Sequence, residues 1–313
     1  MEKIEMRTVL VAAALAVSVF AYGQRVEKVP LGDFEQWTVR EIKESPILGG
    51  KTREIYMIAA GDTIRRNEPF DYSNTIWATS NAYAVVMGIT KTSVSVMPDK
   101  GPDGTCAKLA TSLASLKVAG MMNVDVVASG SVFWGRALEP ISSVSKPYSF
   151  FDWGIPFTGR PDAVIIDFKS VVPNTGKLRK GSKEVDGYDP ESIVLILQNR
   201  VEDSKGNIHV KRVGTAALQI SEGSGGWMRN VRIPVIYGDP HGKPGYREYM
   251  RLNTSYYAVN SRGKSVPIAE EGWADPSTPV THAILAITSG SRDDMAGALG
   301  NILWVDNVML EYE

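Results

Sequence analysis

Ile302-Leu303-Trp304-Val305-Asp306-Asn307-Val308-Met309-Leu310-Glu311-Tyr312 interleaves two apolar sets near the end of the chain. Ile302, Trp304, Val308, Leu310 and Tyr312 share one with Asp306, and Leu303, Val305 and Met309 share the other with Asn307 and Glu311. Successive side chains of a strand point to opposite faces, so a run that is apolar on both reads as a central strand, covered on both sides. The same two-residue period recurs outward from it. Ala163–Val171 sets Val164, Ile166 and Phe168 against Ile165, Asp167 and Lys169. Ser192–Gln198 and Ile208–Val213 flank the turn-rich Glu202-Asp203-Ser204-Lys205-Gly206-Asn207 and form a hairpin. Val124–Ala128, Ser131–Arg136, Val231–Tyr237 and Thr281–Thr288 are further strands, with Pro234 pushing its own strand to a sheet edge. Only Ala107–Val118 is ambiguous between helix and strand. The pattern predicts an all-β protein of two antiparallel sheets packed face to face.

Composition agrees and removes several function classes. The chain has 313 residues, 34 Lys and Arg against 35 Asp and Glu, three His and one Cys. Balanced charge gives no basic footprint for nucleic acid, and so few His and Cys exclude a zinc or disulfide framework. The 29 Gly and 17 Pro suit short strands joined by turns. Tyr237–Tyr246, rich in both, reads as a long loop, and the whole as one domain over residues 24–313.

Residues 1–23 read as a signal peptide. Lys3 and Arg7 precede the apolar run Thr8–Phe20 and the small-residue site Ala21-Tyr22-Gly23, with cleavage before Gln24. The run is too short for a membrane span, which needs about 20 residues. No Cys follows it to carry a lipid, so the mature protein is expected to be exported, periplasmic or extracellular, without membrane insertion. Cys106 is alone and reads as a buried structural thiol.

Two carboxylates sit in apolar surroundings at opposite ends of the chain. Asp306 interrupts an apolar strand face, and Glu35 lies in Gly32-Asp33-Phe34-Glu35-Gln36-Trp37. A buried carboxylate demands a partner. If the terminal strands are neighbours, Glu35 and Asp306 supply oxygens to one structural Ca²⁺; otherwise each is bonded by loop amides or Arg.

Gly32–Trp37, Gly154-Ile155-Pro156-Phe157-Thr158-Gly159-Arg160-Pro161-Asp162-Ala163 and Leu299-Gly300-Asn301-Ile302-Leu303-Trp304-Val305-Asp306-Asn307-Val308 together resemble the putative carbohydrate metabolism domain, over roughly residues 30–313. The middle motif is the specific one. The resemblance implies a jelly-roll, galactose-binding-like β-sandwich, found mainly in exported proteins of Bacteroidetes-type bacteria. An oligo- or polysaccharide is the implied partner. Many relatives carry a lipid anchor and an N-terminal immunoglobulin-like domain, and this sequence shows neither.

The middle motif also has a direct reading. Gly154 and Gly159 permit sharp turns, Pro156 and Pro161 stiffen the flanks, and Trp153, Phe157 and Arg160 are presented close together. Aromatic planes pack on the C–H faces of pyranose rings while a guanidinium bonds hydroxyls. The alternative is that the aromatics plug the core and Arg160 bonds loop carbonyls. Trp77 and Trp227, in turn-like surroundings, join the candidate sugar-binding set; Trp273 is an exposed loop aromatic, and Trp134 and Trp304 belong to strands, Trp304 in the core.

No nucleophile elbow, metalloprotease pair, phosphate loop or dinucleotide fingerprint is present. Glycoside hydrolysis needs two facing carboxylates, and Asp152, Asp162, Asp167, Glu270, Glu271, Asp293 and Asp294 are too many to choose among. The leading expectation is therefore an exported, non-catalytic glycan-binding sandwich. A glycoside hydrolase or polysaccharide lyase with a carboxylate pair formed by the fold is the second, and a structural or adhesive surface subunit the third.

Overall fold

The computed structural model describes residues 25–118, 122–143 and 146–313, so the expected signal peptide lies outside the described residues. Among these residues strands dominate, accompanied by three short 3-10 turns. One sheet runs Met228–Pro234, Ala163–Val171, Ile302–Tyr312, Thr105–Ala110, Val96–Lys100, with Arg25–Lys28 added along Ile302–Tyr312. The other runs Phe151–Trp153, Ser131–Ala137, His282–Thr288, Glu191–Glu202, Ile208–Ile220, Ile236–Tyr237. Pairing in both is antiparallel, except that Glu270–Trp273 adds parallel to Ile208–Ile220. Among the described residues five smaller sheets of two or three strands decorate this pair.

The two sheets face each other across one apolar layer. Val164, Ile166, Phe168, Leu303 and Val305 from the first meet Val132, Ile193, Leu195, Leu285 and Ile287 from the second. Each belongs to one alternation phase of its strand, which is why period-two patterning reveals a half-buried sheet. Fixing a residue's backbone costs about 1–2 kcal/mol, and burial of this kind must outweigh it. No disulfide contributes: Cys106 is buried, and burial pushes its thiol pKa up to about 12.

Ile302–Tyr312 is an interior strand, as its two apolar faces require, flanked by Ala163–Val171 and Thr105–Ala110. Its alternation is broken, however. The register with Ala163–Val171 shifts between Ile165 and Asp167, and Asn307 takes a positive φ of 51°. The bulge lets Leu303 and Val305, then Val308 and Leu310, all face the core. Trp304 is thereby placed outside the core, contrary to expectation. Its Nε1 donates to Asp99 at 2.9 Å and the Lys169 ammonium lies 4.1 Å from its ring centre. Ala107–Val118 resolves into parts of two strands, Thr105–Ala110 and Ser112–Val118. Met228–Pro234 does form the edge of its sheet, where Pro234 costs no ladder bond.

The second sheet also buries its outer face. Phe133, Trp153, Ile196, Ile284 and Ala286 form a separate apolar cluster with Ala258 and Ile268. The hairpin of Tyr257–Val259 and Ser265–Pro267 and the 3-10 turn Pro147–Phe150 lie over it. This cover leaves a cleft at one end of the outer face.

Candidate functional site

The cleft has a volume of about 930 Å³ and is bounded by Pro69–Ser73, Thr75, Ile76, Gly135–Glu139, Asp152, Gly154–Pro156, Arg200, Glu202, Ile208, Ala258, Val259 and His282. Its polar side chains come from strand positions that point away from the core. In Glu191–Glu202, Ile193, Leu195 and Leu197 face the inner layer, so Gln198, Arg200 and Glu202 face outward. In His282–Thr288, Ala283, Leu285 and Ile287 face inward and His282 outward.

A buried polar network fixes the cleft floor. Glu270 accepts from Arg212 Nε at 2.5 Å and again from Arg212 Nη2, from Gln198 Nε2 at 2.7 Å and from the Asn253 amide at 2.7 Å. Arg212 is 1% exposed and Glu270 6%, so this bidentate pair is worth having only because every oxygen is bonded. Gln198 Oε1 then accepts from Arg200 Nε at 2.8 Å, and Arg200 Nη2 donates to the Trp153 carbonyl at 2.8 Å. The chain Glu270–Gln198–Arg200 thus pins the start of the middle motif. Gly154 makes that possible. It holds φ at +92°, and a Cβ there would lie 2.7 Å from Arg200 Nη2. Gly135 is as tightly placed, 2.2 Å from the Asp152 carbonyl oxygen by the same construction.

His282 stays neutral over the physiological range, since burial and then the Arg200 charge push its pKa down to about 4. Its Nδ1 sits 3.0 Å from Thr281 Oγ1. Burial also lowers the Arg200 pKa to about 10. Asp152 accepts from the Val259 amide at 2.9 Å and from Arg136 Nε at 2.9 Å. Glu202 accepts from Ser261 Oγ at 2.6 Å and its amide at 2.9 Å, bonds that hold its pKa down. Burial raises the Glu139 pKa, but Arg40 and the Phe70 amide occupy its oxygens and its side chain is 1% exposed. Apolar walls complete the cleft. Phe70 meets Tyr72 edge-on at 4.9 Å, and Ile76, Ile155 and Ile208 lie near them.

The five sugar-binding candidates are not brought together. Trp77 is fully buried in the inner core, edge-on to Phe34 and Trp134, with Nε1 bonded to the Pro30 carbonyl; it offers no face to a ligand. Trp153 is 6% exposed and sandwiched, 4.0 Å from the Tyr256 ring and 4.2 Å from Phe133, so both of its faces are occupied. Phe157 packs on the inner core beside Trp134. Arg160 donates to the carbonyls of Thr278 and Pro276 and lies 4.4 Å over Tyr237. Trp227 is half-buried in the loop before Met228–Pro234, outside the cleft. The middle motif serves the cleft through its backbone and its neighbours Asp152, Ile155 and Pro156. Arg136, Arg200 and His282 escaped the sequence reading: Arg200 and His282 are polar residues on the non-core phase of otherwise apolar strands, whereas Arg136 shares the phase of Val132 and Trp134 and is exposed just past Gly135, whose φ is +143°.

Glu35 and Asp306 do approach each other, in a knot of four carboxylates. Asp167 and Asp306 are direct partners across two neighbouring strands. Burial, and then the charges of Asp167, Glu35 and Asp103, push the Asp306 pKa up to about 6. Protein donors serve the knot: Thr105 N–H to Glu35 at 2.9 Å, Asn307 N–H to Asp306 at 2.8 Å, Asn230 N–H to Asp167 at 2.6 Å. Arg229 bridges Asp167 and Asp103. Among the described residues no group of three or more Asp, Glu, His or Cys is arranged to hold a metal ion.

Residues 33–215 match the family model of the putative carbohydrate metabolism domain. That span contains the middle motif, while the C-terminal motif lies beyond it. The fold is similar to that of a putative glycoside hydrolase from Bacteroides thetaiotaomicron VPI-5482, at 20% identity and TM-score 0.51, covering 88% of this chain and 71% of that one. A putative glycoside hydrolase from Bacteroides vulgatus ATCC 8482 aligns at 14% identity and TM-score 0.45, over 91% of this chain and 94% of that one. No curated protein matches the chain.

Proposed function

We propose that this chain, which belongs to the putative carbohydrate metabolism domain family, is an exported glycan-binding protein whose ligand lies in the cleft of the second sheet. One observation carries the reading. The cleft joins apolar walls from Phe70, Tyr72, Ile76 and Ile155 to fixed hydrogen-bonding groups on Arg136, Asp152 and a neutral His282. Sugar rings present the same mixture of apolar C–H faces and hydroxyls. A volume of about 930 Å³ is in the range of ligand sites, roughly 300–1,000 Å³, and accommodates a short oligosaccharide.

Binding without turnover follows from the state of the cleft carboxylates. Asp152 is held by Val259 and Arg136, Glu202 by Ser261, and Glu139 by Arg40. An inverting or retaining hydrolase needs one acid able to give up a proton and a second carboxylate facing it. Titration calorimetry against a panel of neutral oligosaccharides tests the proposal. His282→Ala and Arg136→Ala should each weaken affinity about tenfold, roughly 1.4 kcal/mol, with the fold retained. Failure of the folded protein to bind any glycan of a broad array overturns it.

Hydrolysis is the second reading, favoured by the presence of Asp71, Asp152 and Glu202 on one cleft. Release of reducing ends from a polysaccharide panel, abolished by Asp152→Asn or Glu202→Gln, would establish it in place of binding alone. Export through the 1–23 signal and a single domain over residues 24–313 complete the proposal.

A further inference from the structure

One end of the inner core is polar. Thr111, Ser170, Glu191, Ser289 and Asn301 come from or adjoin five different strands, and each stands two residues from a core-facing position of its own strand. Neighbouring strands keep them at one level: Ser170 pairs with Leu303, Ser192 with Thr288, and the Thr111 amide donates to the Asn301 carbonyl at 3.0 Å. All five are at most 4% exposed, and Glu191 and Asn301 are fully buried.

The Thr111 and Asn301 donors of this layer are already used. Thr111 Oγ1 bonds Ser289, and Asn301 Nδ2 donates to the carbonyls of Asp189 and Ser289 at 2.7 and 3.0 Å. Left without any partner are both carboxylate oxygens of Glu191, Asn301 Oδ1 and Ser170 Oγ. The Ser170 hydroxyl faces Glu191 and opposes the rise that burial imposes on its pKa, to about 8, without reaching hydrogen-bond geometry. The charged neighbour of Glu191 is another carboxylate, Asp189, itself 3% exposed and saturated by the amides of Ser291, Arg292 and Ala298.

An uncompensated buried carboxylate is among the costliest groups a fold can contain. A water molecule supplies hydrogen bonds but no charge. A proton, toward which burial drives Glu191, would neutralise it and supply one O–H donor, enough for only one of the oxygens left in the layer. We propose that the layer is a calcium site, with Glu191 as a bidentate ligand, Asn301 Oδ1 and Ser170 Oγ as further oxygens, and Asp189 supplying the second negative charge. The donor set is all oxygen and includes neutral ones, which suits Ca²⁺ over zinc, whose sites are built on imidazole and thiolate. Such an ion ties together both sheets at this end, so its effect is on stability and does not depend on the glycan cleft.

Thermal melting in EDTA, Ca²⁺ and Mg²⁺ tests the site. Millimolar Ca²⁺ should raise the wild-type Tm by about 5 °C or more, and Mg²⁺ by less. Glu191→Gln should abolish the response while Asp306→Asn, in the separate carboxylate knot, retains it. In EDTA the Glu191→Gln protein should melt at or above the wild type, because an unpaired charge is gone. If Glu191→Gln does not fold, equilibrium dialysis of the wild type with radioactive calcium, expected to give one ion per chain, and its loss in Ser170→Ala decide the matter. A wild-type Tm unmoved by Ca²⁺ with no ion bound, or a response that survives Glu191→Gln, overturns the proposal.

Discussion

Asp306→Asn should stabilise the protein at neutral pH. The native carboxyl is 2% exposed, stands directly opposite Asp167 and feels the Glu35 and Asp103 charges, which together with burial raise its pKa from 3.8 to about 6. A shift of about two units corresponds to about 3 kcal/mol, at 1.36 kcal/mol per unit. Unfolding releases this acid to its ordinary pKa, so the folded state binds the proton more tightly than the unfolded state. Stability from this group is therefore full below pH 3.8, falls between pH 3.8 and 6, and is lost above that. Asparagine keeps the shape and can still accept the Asn307 amide bond, but never carries the charge. Urea unfolding of both proteins from pH 4.5 to 8 should show a gain of about 1–3 kcal/mol at pH 7.5, shrinking steadily as the pH falls through 6. A variant that is less stable than wild type at pH 7.5, or whose gain is the same at every pH, refutes the account of Asp306 as a charge buried at a cost.

Gly154→Ala should lose about 2–4 kcal/mol, combining the strain of a positive φ with the collision against Arg200 and Ile284; Gly225→Ala, also at positive φ but with nothing within 4 Å, should lose only about 1–2 kcal/mol in the same denaturation assay. Glycan affinity should be flat from pH 5.5 to 8 and fall only as the pH approaches 4, because His282 is neutral above that; calorimetry showing a midpoint near 6.5 would mean an unperturbed imidazole. Glu270→Ala leaves the Arg212 guanidinium buried without its partner and should cost about 3–5 kcal/mol, read as a lowered melting temperature. Trp77→Ala should cost a similar amount, about 3–5 kcal/mol, yet leave the affinity of the remaining folded protein unchanged, since the ring lies in the core away from the cleft.

The architecture was legible because its signal is local. Ala163–Val171 and Ile302–Tyr312 fall where the alternation of side chains places them, and the Glu191–Glu202 and Ile208–Ile220 hairpin turns where Asp203 and Gly206 allow it. The middle motif likewise pointed to a rigid turn, and Gly154 proves to be one that no other residue fits. What the sequence could not convey is which side chains are already committed. Trp153 is an attractive sugar platform on paper, but Phe133 and Tyr256 come from distant parts of the chain to cover both its faces. Arg160 reads as a ligand-binding guanidinium until two loop carbonyls more than a hundred positions away take its donors.

By itself the sequence determined the all-β class, the strand positions and the family, because period-two patterning and turn residues act within a few positions of one another. The tertiary structure alone decided the site. A cleft depends on which outward-facing residues of strands far apart in sequence arrive side by side: His282 beside Arg200, and Arg200 against the Trp153 carbonyl. It also depends on long-range burial, which sets the Asp306 and His282 pKa values and leaves Glu191 without a partner. Burial and charge are properties of the packed whole, and a linear pattern specifies them only after the sheets have closed on each other.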